Sequence, residues 1–257
     1  MYAFVQQSET SFATGQSPIA MPTALTFTAG NCLLFAAISS LSTVADVSFT
    51  DNLGGGASSN TYTIVGHSPG IASSNSIVYG YAANCKGAST IVSVNNSGGA
   101  ALGALYVVEY SGLALSGVLL GSNSAETSGP GIGANIISSG TAAITGTPAM
   151  IWGLCYDFTG NTVQTSAGTS PLGFTGRTRI WSVISGTANG QPQDCRVTSN
   201  GTYGATWGTS SGNQYDVYDQ VFMALAEATA ATIPGAGAMN LTGAAGFQNY
   251  GFTPTTA

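Results

Sequence analysis

Charge is scarce in this sequence. Only 5% of its 257 residues are Asp, Glu, Lys or Arg, against about 25% in an average soluble domain. Four Lys or Arg stand against ten Asp or Glu, for a net charge of −6. Nucleic acid requires clustered cations to displace phosphate counterions, so that partner class is excluded. A surface this poor in charge gives little mutual repulsion. It suits a subunit packed against others.

Histidine is nearly absent too. His67 is the only one, which removes Cys–His catalysis and most zinc-hydrolase ligand sets. Long apolar runs are missing: the stretch from Cys32 to Ile38 falls far short of the roughly 20 residues a bilayer requires. The first cationic side chain is Lys86, so no basic segment precedes an apolar one in the manner of an export signal. The expected partners include no membrane and no nucleic acid. The four cysteines, Cys32, Cys85, Cys155 and Cys195, form no CxxC pair. Cys32 and Cys155 sit in strand-like runs and read as small buried hydrophobes. Cys85 and Cys195 flank polar turns and are the pair expected to oxidise, within or between chains.

What the chain does have is glycine (36 residues), abundant Ser and Thr, and many short β-forming runs. The densest is Ala104-Leu105-Tyr106-Val107-Val108-Glu109-Tyr110, bounded by Gly103 and by Ser111-Gly112. Alternate residues of a strand face opposite sides. Ala104, Tyr106, Val108 and Tyr110 therefore share one face, and Leu105, Val107 and Glu109 the other. Both faces are apolar up to Glu109, so this strand is expected to be central and covered on both sides. Before it, Met1–Ser11 reads as an edge strand, followed by runs at Leu25–Thr28, Cys32–Ile38, Val44–Thr50, Asn60–Val65, Ser76–Tyr81 and Ser89–Val94. Beyond it come Val118–Gly121, Ile136-Ile137, Ala149–Tyr156 and Arg179–Ile184. The stretch from Gln191 to Gly212 reads as turn-rich. Asp216–Glu227 has helical propensity, but Val221, Met223 and Leu225 alternate with Phe222, Ala224 and Ala226, and it is read as a closing strand. The fold class expected is all-β: an antiparallel β-sandwich, jelly-roll-like, over residues 1–228. No fixed-period sequence repeat is visible.

From 229 to 257 the composition turns to Ala, Gly, Thr and Pro, with Met239, Leu241, Phe247, Tyr250 and Phe252 isolated among them. Such a segment cannot offset its own ordering entropy of about 1–2 kcal/mol per residue. It reads as an extended tail whose large side chains anchor on a neighbouring subunit, as in strand addition.

Few residues point to chemistry. Gly66-His67-Ser68-Pro69-Gly70 matches Gly-x-Ser-x-Gly, but Pro69 and Gly70 follow the serine where a nucleophile elbow needs a helix, and His67 is badly placed as its base. It reads as a turn. Glu109 and Asp157 end strands and are the imaginable glycosidase pair. Asp216 with Asp219, or Asp46 with Asp51, are the imaginable calcium ligands, though no loop has the oxygen density of a dedicated site. The expectation is no catalytic residue, no metal and no cofactor. Tyr203 and Trp207, in a Gly/Thr-rich stretch, form the best platform for stacking a sugar.

Several stretches together resemble the β-sandwich virion proteins of tailed bacteriophages and their relatives on bacterial surfaces. They are Gly30–Phe35, Thr50–Gly54 leading to Asn60–Thr63, Tyr81–Val92 and Glu109–Leu113, with the tail piece Pro234–Gly243. The first four occur in that family's order over about half the chain; an insertion at Gly55–Ser59 and the cysteines depart from it. The resemblance implies a non-enzymatic capsid decoration, collar or tail-fibre component, located in a virion assembled in the host cytoplasm. Its partners would be other virion proteins and copies of itself. The competing reading is a carbohydrate-binding adhesin or host-receptor module using Tyr203 and Trp207 on a cell-surface glycan.

Overall fold

A computed structural model describes residues 1–39, 46–53, 59–69, 76–97, 102–128, 136–157, 163–165, 173–178, 180–181, 189–209 and 217–229. They form an all-β structure in which every strand pairing is antiparallel. Among them no helix is long and apolar enough to cross a membrane.

The first half contributes β1 (Ala3–Gln16), β2 (Ile19–Ala20), β3 (Leu25–Thr26), β4 (Cys32–Ser39) and β5 (Val47–Asp51). It continues with β6 (Thr63–His67), β7 (Ser76–Ala82), β8 (Ser89–Thr90), β9 (Val92–Asn96) and β10 (Leu102–Ser111). The second half has β11 (Leu119–Ser128), β12 (Ile136–Ser138), β13 (Ala142–Ile144), β14 (Ala149–Asp157) and β15 (Val163–Thr165). Then come β16 (Thr175–Gly176), β17 (Ile180–Trp181), β18 (Asn189–Val197), β19 (Gly201–Tyr203), β20 (Thr206–Thr209) and β21 (Val217–Ala226).

The halves repeat one topology. The main sheet of the first runs β1-β10-β4-β7-β6, and that of the second runs β11-β21-β14-β18-β16, with β17 also on β18. Small cover sheets correspond as well: β2-β9-β5 with β12-β20-β15, and β3-β8 with β13-β19. One sequence echo survives in equivalent strands: Glu9-Thr10-Ser11 in β1 and Glu126-Thr127-Ser128 in β11. A strand requires only alternation of apolar positions, so sequences can diverge widely while pairing order persists.

The two main sheets stack face to face. β10 lies between β1 and β4, as its two apolar faces require. Its Tyr106 and Val108 join Leu34 and Ile38 of β4, Trp152 and Leu154 of β14, and Val221 and Met223 of β21 in one shared core. The Tyr106 and Trp152 rings stack across this core, centroids 6.4 Å apart and planes 16° from parallel. On the outer face of the first sheet Leu33, Phe35, Leu105 and Val107 pack under the first cover with Phe49, Val92 and Val94. Ile151, Cys155 and Phe222 pack under the second cover with Trp207 and Ile137. Burying each such side chain contributes roughly 1.5–3 kcal/mol.

The stacking is pseudo-twofold. At one side, Gln7 of β1 donates to Thr178 between β16 and β17; at the other, Ser124 of β11 donates to His67 of β6. Each contact is the topological counterpart of the other, as in an isologous interface. The chain crosses from one sheet to the other through Gly112, whose φ of +73° and close approach to the Met1 carbonyl leave no room for a Cβ.

Several elements depart from expectation. The turn-rich reading of Gln191–Gly212 is corrected: most of it is β18, β19 and β20. Gly153, in the middle of β14, makes this possible, because a Cβ there would lie 2.5 Å from Ala205 and 3.0 Å from the Trp207 ring. The ambiguous segment is the strand β21, buried along nearly its whole length between β11 and β14.

Candidate functional site

A surface cleft of about 250 Å³ is lined by Met1, Tyr2, Ala3, Phe4, Thr175, Arg177, Asp194 and Arg196. It forms where β1 of the first half meets β16 and β18 of the second. Two of the chain's four Lys or Arg side chains converge there.

Asp194, at the middle of β18, is buried and organises one wall. Its Oδ1 accepts from the Tyr2 hydroxyl at 2.9 Å and from Arg177 Nη2 at 2.8 Å. Its Oδ2 accepts from the Tyr110 hydroxyl at 2.6 Å and from Arg177 Nε. Arg177 is thereby held by a bidentate fork, with its guanidinium carbon 4.5 Å from the centroid of the Phe4 ring. Burial alone would lower the Arg177 pKa; the bonds to Asp194 more than reverse this and raise it. Burial, then the Asp194 charge, pushes the Tyr2 and Tyr110 phenols up, so both remain donors.

Arg196 makes a second fork, its Nε and Nη2 on Oε1 and Oε2 of buried Glu227, the latter at 2.9 Å. The Arg196 bonds hold the Glu227 carboxyl below the ordinary range against the opposing effect of burial. Each guanidinium carries five N–H groups. Three on each lie outside these forks.

The opposite side of the shared core has a different polar contact. Ser68 Oγ accepts from the Ile77 N–H at 2.8 Å and donates to Asp219 Oδ2 at 2.7 Å. Both residues are fully buried, and Asp219 Oδ1 has no hydrogen-bond partner. Burial pushes Asp219 up to about 7; the Ser68 bond opposes the shift and the Glu126 charge adds to it. His67 Nδ1 lies 2.7 Å from the Ser68 carbonyl oxygen, which can only accept, so Nδ1 carries the proton. The serine of Gly66–Gly70 is thus a buried link between halves, with His67 on its backbone rather than its hydroxyl.

The other residues singled out from sequence are dispersed. The stacking platform is corrected: Trp207 is fully buried, with its indole N–H donating to the Gln191 carbonyl at 2.9 Å, and presents no face to a sugar. Tyr203 is half-buried, and its hydroxyl donates to the Ser199 carbonyl at 2.7 Å. The disulfide is corrected also. All four cysteines are free and buried, Cys85 under the first cover and Cys195 under the second, with both main sheets between. Polar neighbours in sequence concealed apolar neighbours in space.

Glu109 and Asp157 lie in different main sheets. Glu109 faces the first cover, where its Oε1 accepts from the Thr28 N–H at 2.8 Å and Asn31 Nδ2 at 2.6 Å, and its Oε2 from Gln6 Nε2 at 2.5 Å. It fixes the ends of β1, β3 and β4. Asp51 is surrounded by donors: Leu53 N–H, Asn60 N–H, Asn60 Nδ2 and the Tyr62 hydroxyl. Burial opposes its ionisation, but these donors outweigh burial and lower its pKa. Among the described residues no group of three or more His, Cys, Asp or Glu could hold a metal ion. Asp216 and the tail residues Met239, Leu241, Phe247, Tyr250 and Phe252 lie outside the described residues.

The Arg177–Asp194 and Arg196–Glu227 forks were missed by sequence reading. The one available signal was that cations are so rare that any two in one region merit pairing with a strand-borne carboxylate. No protein-family model, curated protein or solved structure matches the chain.

Proposed function

We propose that this chain is a non-enzymatic structural protein of a bacteriophage virion, a capsid decoration, collar or fibre subunit that works by packing against copies of itself and other virion proteins. On its strand order we read each half as a jelly-roll wrap, in which the first and last strands pair beside the centre of the main sheet. The observation that carries the assembly reading is the open edge of β1. Among the described residues this strand of 14 residues pairs with β10 alone. It contains no Lys, Arg or Pro, and Phe4 and Val5 are exposed. Soluble proteins blunt such edges with charge, proline or bulges. Here a bulge occurs at Val5 and the register shifts after Ser11, leaving Gln6–Ser11 regular and open. Among the described residues the counterpart strand β11 also pairs with one neighbour, β21, and the pseudo-twofold sets the two edges on opposite sides. Two such edges are what a subunit needs to be joined on both flanks. The virion assignment itself is supported by the resemblance of the first half of the chain to phage β-sandwich proteins.

A Val5→Lys variant tests the edge. The bulge keeps this side chain out of the ladder register, so the variant should fold with an unchanged unfolding midpoint. It should lose self-association measured by sedimentation. Unchanged association would remove β1 from the interface.

A further inference from the structure

We infer that the cleft between Phe4, Arg177 and Arg196 is a binding site for a carboxylate-bearing sugar, such as a uronic acid residue of a surface polysaccharide. This goes beyond the assembly reading, with which it shares the start of β1 at Ala3 and Phe4.

The site is built rather than incidental. Both arginines that line it are immobilised by carboxylates whose side chains are 1% exposed, Asp194 and Glu227. Asp194 is itself fixed by two tyrosine hydroxyls, so Arg177 has little freedom to leave the wall. A guanidinium held in this way retains a planar set of N–H groups that matches a carboxylate in a bidentate arrangement. Two of them flank one cleft. Because little side-chain entropy is left to lose, binding is favoured by pre-organisation.

The charge balance selects a monoanion. Arg177, Arg196 and the Met1 ammonium, which lies 3.5 Å from Glu227 Oε2, face the two carboxylates Asp194 and Glu227, leaving the cleft one positive charge in a chain that carries −6 overall. One carboxylate neutralises that charge through aimed hydrogen bonds, and the second charge of a dianion such as phosphate gains nothing from the surrounding field. The remaining lining suits a sugar ring. Phe4 is 37% exposed and offers an apolar face, already stacked by Arg177 on one side of the cleft. Thr175 adds a hydroxyl at the rim. The volume of about 250 Å³ lies below the roughly 300–1,000 Å³ of drug-sized ligand pockets and corresponds to a single pyranose.

The test is ligand-observed NMR and calorimetry on the full chain with glucuronate, glucose and inorganic phosphate as probes. Glucuronate should bind roughly tenfold more tightly than either of the others, about 1.4 kcal/mol. Arg196→Gln removes one fork, and Phe4→Ala removes the exposed ring; each should weaken glucuronate roughly tenfold. Since Arg196→Gln unpairs Glu227, the Phe4→Ala variant keeps the test valid if the first fails to fold. Tyr203→Phe, remote from the cleft, should bind as the parent does. Absence of glucuronate binding, equal binding of phosphate, or full retention in Phe4→Ala would each overturn the assignment. These readouts use the isolated chain, so they stand or fall separately from incorporation into a particle.

Discussion

The Ser68 hydroxyl donates to the Asp219 carboxylate at 2.7 Å across 151 residues of sequence, joining the two halves at one side of their shared core. Its counterpart under the strand correspondence is Arg177, just after β16, against Tyr110 of β10: the guanidinium carbon lies 5.9 Å from that ring's centroid, and Asp194 pairs with both side chains. Among the described residues no cation pairs with Asp219; it faces Glu126 across the β11–β21 ladder instead.

This asymmetry makes stability depend on pH. The folded-state pKa of Asp219 is raised from 3.8 to about 7. Between those values the folded protein binds more protons than the unfolded chain, so stability falls as pH rises through the window and levels off above it. Asp219→Asn should remove that slope and be more stable than the parent at pH 8 by about 2–4 kcal/mol, with little difference at pH 4. Urea unfolding at pH 4, 6 and 8 measures this. The same slope in the variant would show that another group is responsible.

Trp207 is predicted to be structural. Trp207→Ala removes a fully buried ring that covers Gly153 and should cost about 3–5 kcal/mol. Thermal unfolding reads the loss, and glycan binding per folded molecule should not change. A variant with parental stability but lost glycan binding would restore the stacking platform.

The cysteines should remain reduced and react slowly. Burial pushes the Cys85 thiol up to about 11 and the Cys195 thiol up to about 12, with nearby carboxylates adding to both. Cys32 and Cys155 are raised further by burial. All lie above the ~8.5 of a free thiol. Iodoacetamide labelling of the native protein at pH 8, read by peptide mass spectrometry, should modify Cys85 first, then Cys195. Earlier labelling of Cys32 or Cys155 would contradict this order.

How far the sequence could be read follows from what each feature depends on. The burial of β10 on both faces and the strand identity of β21 are local, because alternation of Val, Tyr, Leu and Ala reports face by face. The edge position of β1 was legible for the same reason, in its mixed polar pattern. The stacking of two like halves was not legible. It rests on pairing order, and Glu-Thr-Ser is the one short echo of it in the strands. Trp207 was misread because the glycines and threonines around it suggest a loop, whereas one of them, Gly208, lies within β20 itself. The Ser68–Asp219 link joins residues from different main sheets and the Arg177–Asp194 fork joins two neighbouring strands of one sheet, and nothing in the spacing of either partner announces the other.

The central claim is that the chain is a virion subunit, and the direct measurement is quantitative mass spectrometry of purified particles from cells that produce it. The account predicts its peptides in the particle fraction at a fixed ratio to the major capsid protein, resistant to washing, and reduced in particles made with the Val5→Lys chain. Recovery of the protein only outside particles, as a soluble monomer, would contradict it.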